Sequence, residues 1–307
     1  MARRALSPAQ LAVVRAVTDE WPGGAVVAGV SGGPDSTALA LAASHVAAKV
    51  GGSVRAIVVD HGLQPGSADV ARAVVAGLGE RGIDAECVSV RVELGGDGLE
   101  AAARDARLAA LARPGLPVLL GHTLDDQAEQ VLLGLARGSG TRALAGMPAR
   151  RGPFRRPLLG LRRTTTVRAC ADWGVQPWAD PMNDDPAHLR VRARRALALL
   201  ADELGRDLAP ALARSATLAR ADADLLDELA AAGGPPGERL PVVELAGLPD
   251  ALRRRRIKAW LADRAGPPSM VHVVAVDQLV TRWHGQGPVD VPGGRVRRCA
   301  GELELVG

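Results

Sequence analysis

The stretch that decides the fold is Ala25-Val-Val-Ala-Gly-Val-Ser31-Gly32-Gly33-Pro34-Asp35-Ser36-Thr37-Ala38. Its first six residues form an apolar run, and the two glycines that follow allow a tight turn in which the backbone approaches a ligand closely. Pro34 suits the first turn of a helix, where its missing N–H costs nothing. The free N–H groups of that turn and the hydroxyls of Ser31 and Ser36 can surround an anion. The sequence therefore predicts a strand, an anion-binding loop and a helix. No Gly-Lys-Ser/Thr follows, which excludes a Walker A loop.

Strand and helix patterns alternate from this loop through the first half of the chain. The predicted strands cover 25–30, 54–59, 87–92 and 117–120, and the predicted helices cover 35–50, 67–81, 99–112 and 125–137. Repeated strand–helix units imply a parallel sheet with helices on both faces and right-handed crossovers. The predicted fold class is α/β, with a doubly wound parallel sheet.

Polar clusters follow three of these predicted strands directly. They are Ser31–Ser36, Asp60–His61 and His122–Glu129. Ligands of open parallel sheets bind beyond the carboxyl ends of the strands. We therefore expect the three clusters to converge at one edge of the sheet.

The second half of the chain has a different pattern. Helices are predicted over 206–232, 249–264 and 269–283, a strand over 240–245, and short strands with turns over 289–306. A length of 307 residues is typical of about two domains. We predict a first domain over 1–205 and a smaller, mostly helical domain over 206–307.

The positive charge of the chain is concentrated in one segment. The net charge is +4, and residues 137–205 hold 13 basic and 6 acidic residues. Nine arginines and no carboxylate lie between Arg137 and Arg168. Solvated charge runs usually mix both signs, so this segment favours a site for a polyanion such as RNA. The alternative is an ordinary basic surface.

Cysteine usage and hydropathy exclude several classes of protein. The three cysteines, Cys87, Cys170 and Cys299, lie far apart in the sequence, which argues against a disulfide framework or a zinc site. No uncharged apolar stretch approaches the ~20 residues that span a bilayer. We therefore expect a cytoplasmic protein with no membrane partner.

Three acids follow the fourth predicted strand. Asp125 and Asp126 lie four and three residues before Glu129, so on a helix they share a face. Carboxylates this close repel each other unless a cation lies between them. Mg2+ or the ammonium group of a lysine would serve. The alternative is a capping box formed by Thr123 and Asp126, which explains Asp126 better than Glu129.

Two histidines and an arginine complete the set of candidate residues. A neutral His122 could contact phosphate or accept a proton from an amine. His61 follows a predicted strand in the same way, and its alternative is a local hydrogen bond. Arg104 could reach phosphates, or pair with Glu100 four residues earlier on a helix.

Several motifs together resemble a known family. Ser-Gly-Gly-Pro-Asp-Ser at 31–36 resembles the pyrophosphate loop of the ATP pyrophosphatase superfamily, whose fold is the adenine nucleotide α-hydrolase-like one. The series of motifs resembles the tRNA(Ile)-lysidine synthetases over about residues 31–200. The further motifs of that series are Val59–Leu63, Glu100 with Ala103-Arg104, Gly121–Glu129, Arg137–Gly140, Arg156–Leu158 and Trp178–Asn183.

This resemblance implies a reaction and its participants. ATP, with Mg2+, would adenylate the wobble cytidine of an isoleucine tRNA, and free L-lysine would then displace AMP to give lysidine. A homodimer stays open as the assembly. Rival hypotheses are another enzyme of the superfamily, such as a tRNA thiolase or an amide-forming synthetase, and a nonenzymatic tRNA-binding protein. Thiolases of this type commonly use paired cysteines, which this chain lacks.

The resemblance also implies roles for individual residues. The implied catalytic residues are Asp35, His122, Asp126 and Glu129, of which Asp126 and Glu129 would hold lysine and Asp35 would hold Mg2+. The implied ATP-binding residues are Ser31, Gly32, Gly33, Pro34, Asp35, Ser36, Asp60, His61 and Arg104. The implied tRNA-binding residues are Arg155, Arg156, Arg190, Arg192, Arg194 and Arg195.

Overall fold

A computed structural model describes residues 5–62, 66–92, 99–138, 140–180, 182 and 185–307. The side chain of Glu100 lies outside this description, so its predicted pairing with Arg104 is not described either. Some motif positions also lie outside the described residues, namely Leu63, Ser139, Pro181 and Asn183.

The chain divides into two compact units. The first comprises Met1–Ala136 with Gly146–Ser215, and the second comprises Arg137–Ala145 with Ala216–Gly307. The predicted domain assignment, 1–205 and 206–307, followed charge and helix patterns and stays a prediction.

A six-stranded sheet forms the centre of the first unit. Its strands are β1 (Ala25–Val30), β2 (Ser53–Asp60), β3 (Asp84–Ser89), β4 (Val118–Leu120), β5 (Arg150–Arg151) and β6 (Phe154–Arg155). They lie in the order β3-β2-β1-β4-β6-β5, and all pairs are parallel except β5 with β6. The predicted parallel sheet is confirmed. The third strand begins three residues before its predicted start, and the β5–β6 hairpin was not predicted because two-residue strands are too short to show alternation.

Helices connect these strands and continue through the second unit. In chain order they are α1 (Pro8–Asp19), α2 (Pro34–Val50), α3 (Ser67–Gly79), α4 (Leu99–Ala112), α5 (Leu124–Ala136), α6 (Thr141–Leu144), α7 (Arg163–Asp172), α8 (Leu189–Glu203), α9 (Ala209–Ala231), α10 (Val242–Ala246), α11 (Asp250–Arg264) and α12 (Met270–Thr281). In the described part of the chain, none of them is both long enough and apolar enough to span a bilayer.

Alternate residues of β1 show that the sheet is covered on both faces. Val26 is buried in a cluster with residues of α1, α2 and α7. Val27 is buried with Leu111 of α4 instead. Because successive strand residues point to opposite faces, an uninterrupted apolar strand is what two helical layers require. The doubly wound arrangement predicted from the apolar runs is therefore confirmed.

The second unit contains an antiparallel sheet and helices. Its strands are β7 (Leu240–Pro241), β8 (Val289–Val291), β9 (Gly294–Cys299) and β10 (Glu302–Val306), in the order β7-β10-β9-β8. Trp260, Leu279 and Leu303 are fully buried in its core. The predicted strand over 240–245 is wrong beyond Pro241, where α10 begins. A six-residue apolar run cannot by itself distinguish a strand from a buried helical turn.

Candidate active site

The loop over 31–36 is held by its own hydrogen bonds. The Ser36 hydroxyl accepts a bond from the backbone N–H of Ser31 and donates one to the Gly33 carbonyl, both at 3.1 Å. The Thr37 hydroxyl donates to the Gly32 carbonyl at 3.2 Å. Gly33 is the N-cap of α2 and carries no side chain, so the first N–H groups of the helix receive no side-chain cap. The serine hydroxyls thus fix the shape of a loop whose helix end suits an anion.

Gly32 takes a conformation that other residues avoid. Its φ is +87°, and a Cβ built there would lie 2.6 Å from a methyl carbon of Val74. Gly33 has φ −69°, and a Cβ there would meet no atom closer than the Ser31 hydroxyl at 3.7 Å. Position 32 therefore requires glycine, whereas the adjacent position 33 has room for a side chain.

A substitution at each glycine tests this difference. Gly32→Ala is expected to lower the free energy of unfolding by about 1–3 kcal/mol, because a left-handed non-glycine residue is strained. Gly33→Ala is the matched control and is expected to change it little. Urea unfolding followed by circular dichroism measures both. Equal stability of the two variants would contradict the assignment of strain to Gly32.

The ends of β1, β2 and β4 lie at one edge of the sheet, as predicted. Val30 pairs with Val58 and Gly29 pairs with Leu120 in parallel register, so the residues that follow these strands emerge side by side. Gly121, just after β4, lies so close to α2 that a Cβ there would be 3.0 Å from the Asp35 carbonyl. The polar clusters after three separate strands therefore meet around the glycine loop.

The Arg163 guanidinium lies among three of the predicted carboxylates. Its Nε is 2.9 Å from Asp35 Oδ2, one Nη is 2.6 Å from Asp126 Oδ1, and the other is 3.7 Å from Glu129 Oε1. The side chains of all four residues are largely buried. The sequence predicted Mg2+ or a lysine ammonium between these acids. In the structure an arginine of the chain itself lies there, and the predicted cation stays a prediction.

Backbone contacts place Arg163 at this position. It is the first residue of α7, and its N–H donates to Asp125 Oδ2 at 2.7 Å. A carboxylate at a helix N-terminus is stabilised by the free N–H groups and by the helix dipole. Asp125 therefore caps α7 and fixes the point from which the Arg163 side chain extends. Sequence reasoning missed Arg163 because it lay within the basic run assigned to RNA.

Both carboxylate oxygens of Asp35 accept hydrogen bonds from other side chains of the protein. Arg163 contacts Oδ2, and the Thr166 hydroxyl donates to Oδ1. Burial raises the pKa of Asp35, while Thr166 and Arg163 work in the opposite direction. Thr166 was not among the predicted site residues, and no sequence pattern linked it to Asp35.

Asp126 forms the predicted capping interaction and also contacts Arg163. The N–H and the hydroxyl of Thr123 donate to Asp126 Oδ2 at 2.7 and 2.8 Å, which is the predicted capping interaction. The other oxygen contacts Arg163. Although burial opposes ionisation, Arg163 and the bonds from Thr123 hold the pKa of Asp126 below its usual value. Asp126 therefore stays an anion in the free protein.

Glu129 is the most buried acid of the cluster, with 2% of its surface exposed. Arg194 Nε donates to Oε1 at 2.8 Å. Among the described residues, no donor reaches the buried Oε2. Burial raises the pKa of Glu129, and the contact with Arg194 opposes that shift. A buried carboxylate oxygen without a donor is costly, so this atom is the natural acceptor for an incoming donor.

Burial disfavours the charged form of the two histidines at the sheet edge. Burial lowers the pKa of His122 to about 3, against the attraction of Asp126. Burial and the neighbouring Arg107 lower the pKa of His61. The Nδ1 atoms of both rings are buried, and no partner for them occurs within the described residues. An imidazole with so low a pKa is a weak proton acceptor. His122 is therefore better suited to a contact with phosphate than to proton uptake.

The positive charges of nearby arginines act on the pKa of His122 in the direction opposite to that of Asp126. The charges of Arg104 and Arg190 act on Arg107, whose pKa is lowered to about 10, mainly by burial. The charges of Arg107 and Arg190 also act on His122. Mutual repulsion of cations is relieved by a bound anion. Arg104 was predicted to bind ATP, whereas Arg107, one helical turn later on α4, was missed.

Comparison with known proteins decides the family. A family described as a PP-loop domain matches residues 9–200, and one described as the TilS substrate binding domain matches residues 240–304. A tRNA(Ile)-lysidine synthase of Nocardia farcinica is 52% identical over 91% of this chain and 89% of its own length. The chain belongs to the tRNA(Ile)-lysidine synthase family. A further member, from Leifsonia xyli, is 49% identical over 92% of this chain and 90% of its own.

A solved structure outside the tRNA(Ile)-lysidine synthase family shares the fold. It is a U34-tRNA thiolase, NcsA, from Methanococcus maripaludis with its [4Fe-4S] cluster, and it covers 68% of this chain and 76% of its own. The TM-score is 0.53 and the sequence identity is 18%. At this identity, the likeness concerns the fold alone.

The resemblance to the tRNA(Ile)-lysidine synthase family implied tRNA binding for six arginines. These arginines occupy different environments in the structure. Arg192 and Arg195 are exposed, and Arg155 and Arg190 are half-buried. Arg156 is 4% exposed and donates to the Pro148 carbonyl at 2.9 Å. Its predicted contact with tRNA stays a prediction. Arg194 pairs with Glu129, so its observed partner is a carboxylate.

While Arg163 lies among these acids, their arrangement does not fit the predicted Mg2+ site at Asp35, which stays a prediction. Both oxygens of Asp35 are engaged by Arg163 and Thr166. Within the ranges that the structure describes, no group of three or more acids, histidines or cysteines is placed to hold a metal ion. We therefore derive no chemical step through a metal held by this chain.

Proposed function

We propose that this protein joins free L-lysine to the wobble cytidine of an isoleucine tRNA, consuming ATP and releasing AMP and pyrophosphate. One observation carries the proposal: the phosphate-binding loop lies beside a carboxylate cluster in which Glu129 Oε2 is buried without a donor. The loop can bind the phosphates of a nucleotide, and the cluster can bind an amine. Membership of the tRNA(Ile)-lysidine synthase family supports the choice of substrates.

The first step is adenylation of the base. ATP binds with its phosphates over the loop and the N-terminus of α2, where Arg104 and Arg107 add positive charge. The carbonyl oxygen of the cytidine ring attacks the α-phosphorus, and the bond to pyrophosphate breaks. The ring is then an electrophile whose leaving group is AMP. Neutral His122 is positioned by β4 to contact phosphate oxygen without adding a proton.

The second step forms the carbon–nitrogen bond. The side-chain ammonium of lysine releases a proton to solvent, and the resulting amine attacks the activated ring carbon. AMP leaves with its bonding electron pair, and the nitrogen releases a second proton to solvent. Asp126 and Glu129 hold the amino acid through its ammonium nitrogen, with Glu129 Oε2 as the acceptor that the protein leaves without a donor. Charge-assisted bonds of this kind are the strong ones in a buried site.

The tRNA contacts are assigned to exposed arginines and to the second unit. Arg192 and Arg195 are accessible for phosphate contacts, which position RNA without reading its sequence. The match of residues 240–304 to a substrate binding domain supports a tRNA contact there. The wobble base, in a single-stranded loop, can be read directly. We infer a cytoplasmic location from these substrates, and a homodimer stays a prediction.

Mass spectrometry of tRNA nucleosides tests the proposal directly. Unmodified isoleucine tRNA is incubated with protein, ATP and L-lysine, digested, and analysed. We expect a cytidine that has gained one lysine less one water, only when both ATP and lysine are present. A methionine tRNA serves as the control substrate. Product formation without ATP, or sulfur in the product, would contradict the proposal.

The rival hypotheses make different predictions in the same assay. A nonenzymatic tRNA-binding protein would bind the tRNA but leave its nucleosides unchanged. A thiolase would require a sulfur donor, and the three cysteines of this chain are unbonded, with Cys170 buried and the other two exposed. No contact among the described residues favours either rival.

A further inference from the structure

We propose that Arg163 masks a cation site formed by Asp35, Asp126 and Glu129, and that this guanidinium must move before an external cation can bind there. The inference deepens the proposed function, on which it rests for the identity of the cation as an ammonium group. The chemistry of the site, however, would also accept a divalent metal.

The contacts of Arg163 are those of a resident counter-ion. It makes charged contacts of 2.9 and 2.6 Å to Asp35 and Asp126, and a longer one of 3.7 Å to Glu129. Asp35 lies in the first turn of α2, and Asp126 and Glu129 lie in α5. These two helices are far apart in the sequence. Without a cation between them, three largely buried carboxylates would repel each other. Arg163 therefore provides in the free protein the charge that a bound cation would otherwise provide.

The longest of these contacts indicates where the exchange begins. Glu129 is only loosely engaged by Arg163, and its Oε2 has no donor within the described part of the chain. A buried acceptor in this state points to a ligand that donates to it. An incoming ammonium group can bond Glu129 Oε2 first and then compete with the guanidinium for Asp126.

The net charge of the cluster favours exchange of one cation for another over binding of both. The cluster contains three acids, with Arg163 and Arg194 as the cations that contact them. With both arginines in place, the acids have a deficit of only one positive charge, so an added cation gains less attraction. Without Arg163, the acids have a deficit of two positive charges. The free protein should therefore bind external cations weakly at this site.

Equilibrium binding to the free protein, without ATP or tRNA, tests the inference. Arg163→Gln is expected to bind L-lysine roughly tenfold or more tightly than the unchanged protein, because one full charge is removed from contact with the acids. Lysine is measured by equilibrium dialysis. Mn2+, which prefers carboxylate ligands, is measured in parallel by the electron paramagnetic resonance of the free ion.

Two matched variants separate charge from other effects. Arg163→Lys keeps the positive charge and is expected to bind as weakly as the unchanged protein. Arg168→Gln removes an exposed arginine from the same helix, where it pairs with Asp172, and is expected to gain nothing. If Arg163→Gln does not fold, the double variant with Asp35→Asn removes one charge of each sign and leaves Asp126 and Glu129 unmasked.

The outcomes distinguish the inference from the proposed function. A gain for lysine alone supports a masked ammonium site, and a gain for both ligands supports a masked site that also takes metal. A gain for Mn2+ alone supports masking by Arg163 but contradicts the assignment of the cation as an ammonium group. No gain for either ligand, or an equal gain in Arg163→Lys, would overturn the inference. Lysidine formation by the unchanged protein is measured separately, so either idea can fail alone.

Discussion

Glu129→Gln is expected to raise the KM for lysine by about 10- to 100-fold, because a hydrogen bond to a charged group contributes about 1.5–3 kcal/mol. The amide keeps the size of the carboxyl group but removes its charge. It also leaves Arg194 without its 2.8 Å partner. The KM for ATP and the Kd for tRNA are expected to change little, because neither ligand is assigned to this oxygen. Initial rates of lysidine formation at varied lysine and fixed ATP measure the effect.

The control for this prediction is Glu304→Gln. Glu304 is also a largely buried glutamate that contacts two arginines, Arg239 and Arg297, but it lies in the second unit. Its replacement is expected to leave the KM for lysine unchanged. A parallel loss of lysine use and tRNA binding in Glu129→Gln would show that Glu129 maintains structure rather than binding the amino acid.

Asp35→Ala is expected to reduce base adenylation by about 10²- to 10³-fold, the typical loss when one preorganised electrostatic group is removed from an active site. Asp35 lies in the first turn of the helix that follows the glycine loop. It fixes Arg163 and Thr166, so its removal frees a guanidinium beside the phosphate site. ATP–pyrophosphate exchange in the presence of tRNA, without lysine, measures this step in isolation.

The control for Asp35 is an acid in an equivalent helical position elsewhere. Asp69 lies in the first turn of α3 and pairs with Arg72 at the surface. Asp69→Ala is expected to leave the exchange rate unchanged. Retained tRNA binding by Asp35→Ala would exclude a general loss of structure. Normal exchange in Asp35→Ala would contradict the catalytic assignment of this residue.

The positions that follow the strands could be predicted from the sequence because they depend on local chemistry. The apolar run at 25–30 and the string Ser31–Ser36 specify a strand, a turn and a helix start within a dozen residues. The capping of α5 by Asp126 is equally local, since Thr123 is only three residues away. The convergence of the strand ends could also be predicted from the sequence, because parallel strands share one carboxyl edge.

The sequence could not identify which charges meet within that edge. Arg163 is 128 residues from Asp35 and 37 from Asp126 in the chain, so no periodicity relates them. The basic run around it favoured RNA for all its arginines alike. The tertiary structure separates them, since Arg163 contacts carboxylates, Arg156 is buried, and Arg155 is half-buried.

The sheet, the turn at 31–36 and the positions of the candidate acids could be derived from the sequence alone, because backbone conformation and helix capping depend on neighbouring residues. Only the tertiary structure decided that the cation between those acids is Arg163 and that Glu129 keeps one buried oxygen without a donor. Coulombic contacts and desolvation depend on distances between segments that are remote in the chain. Those distances are fixed when α7 packs against α2 and α8 packs against α5, and a linear sequence does not contain them.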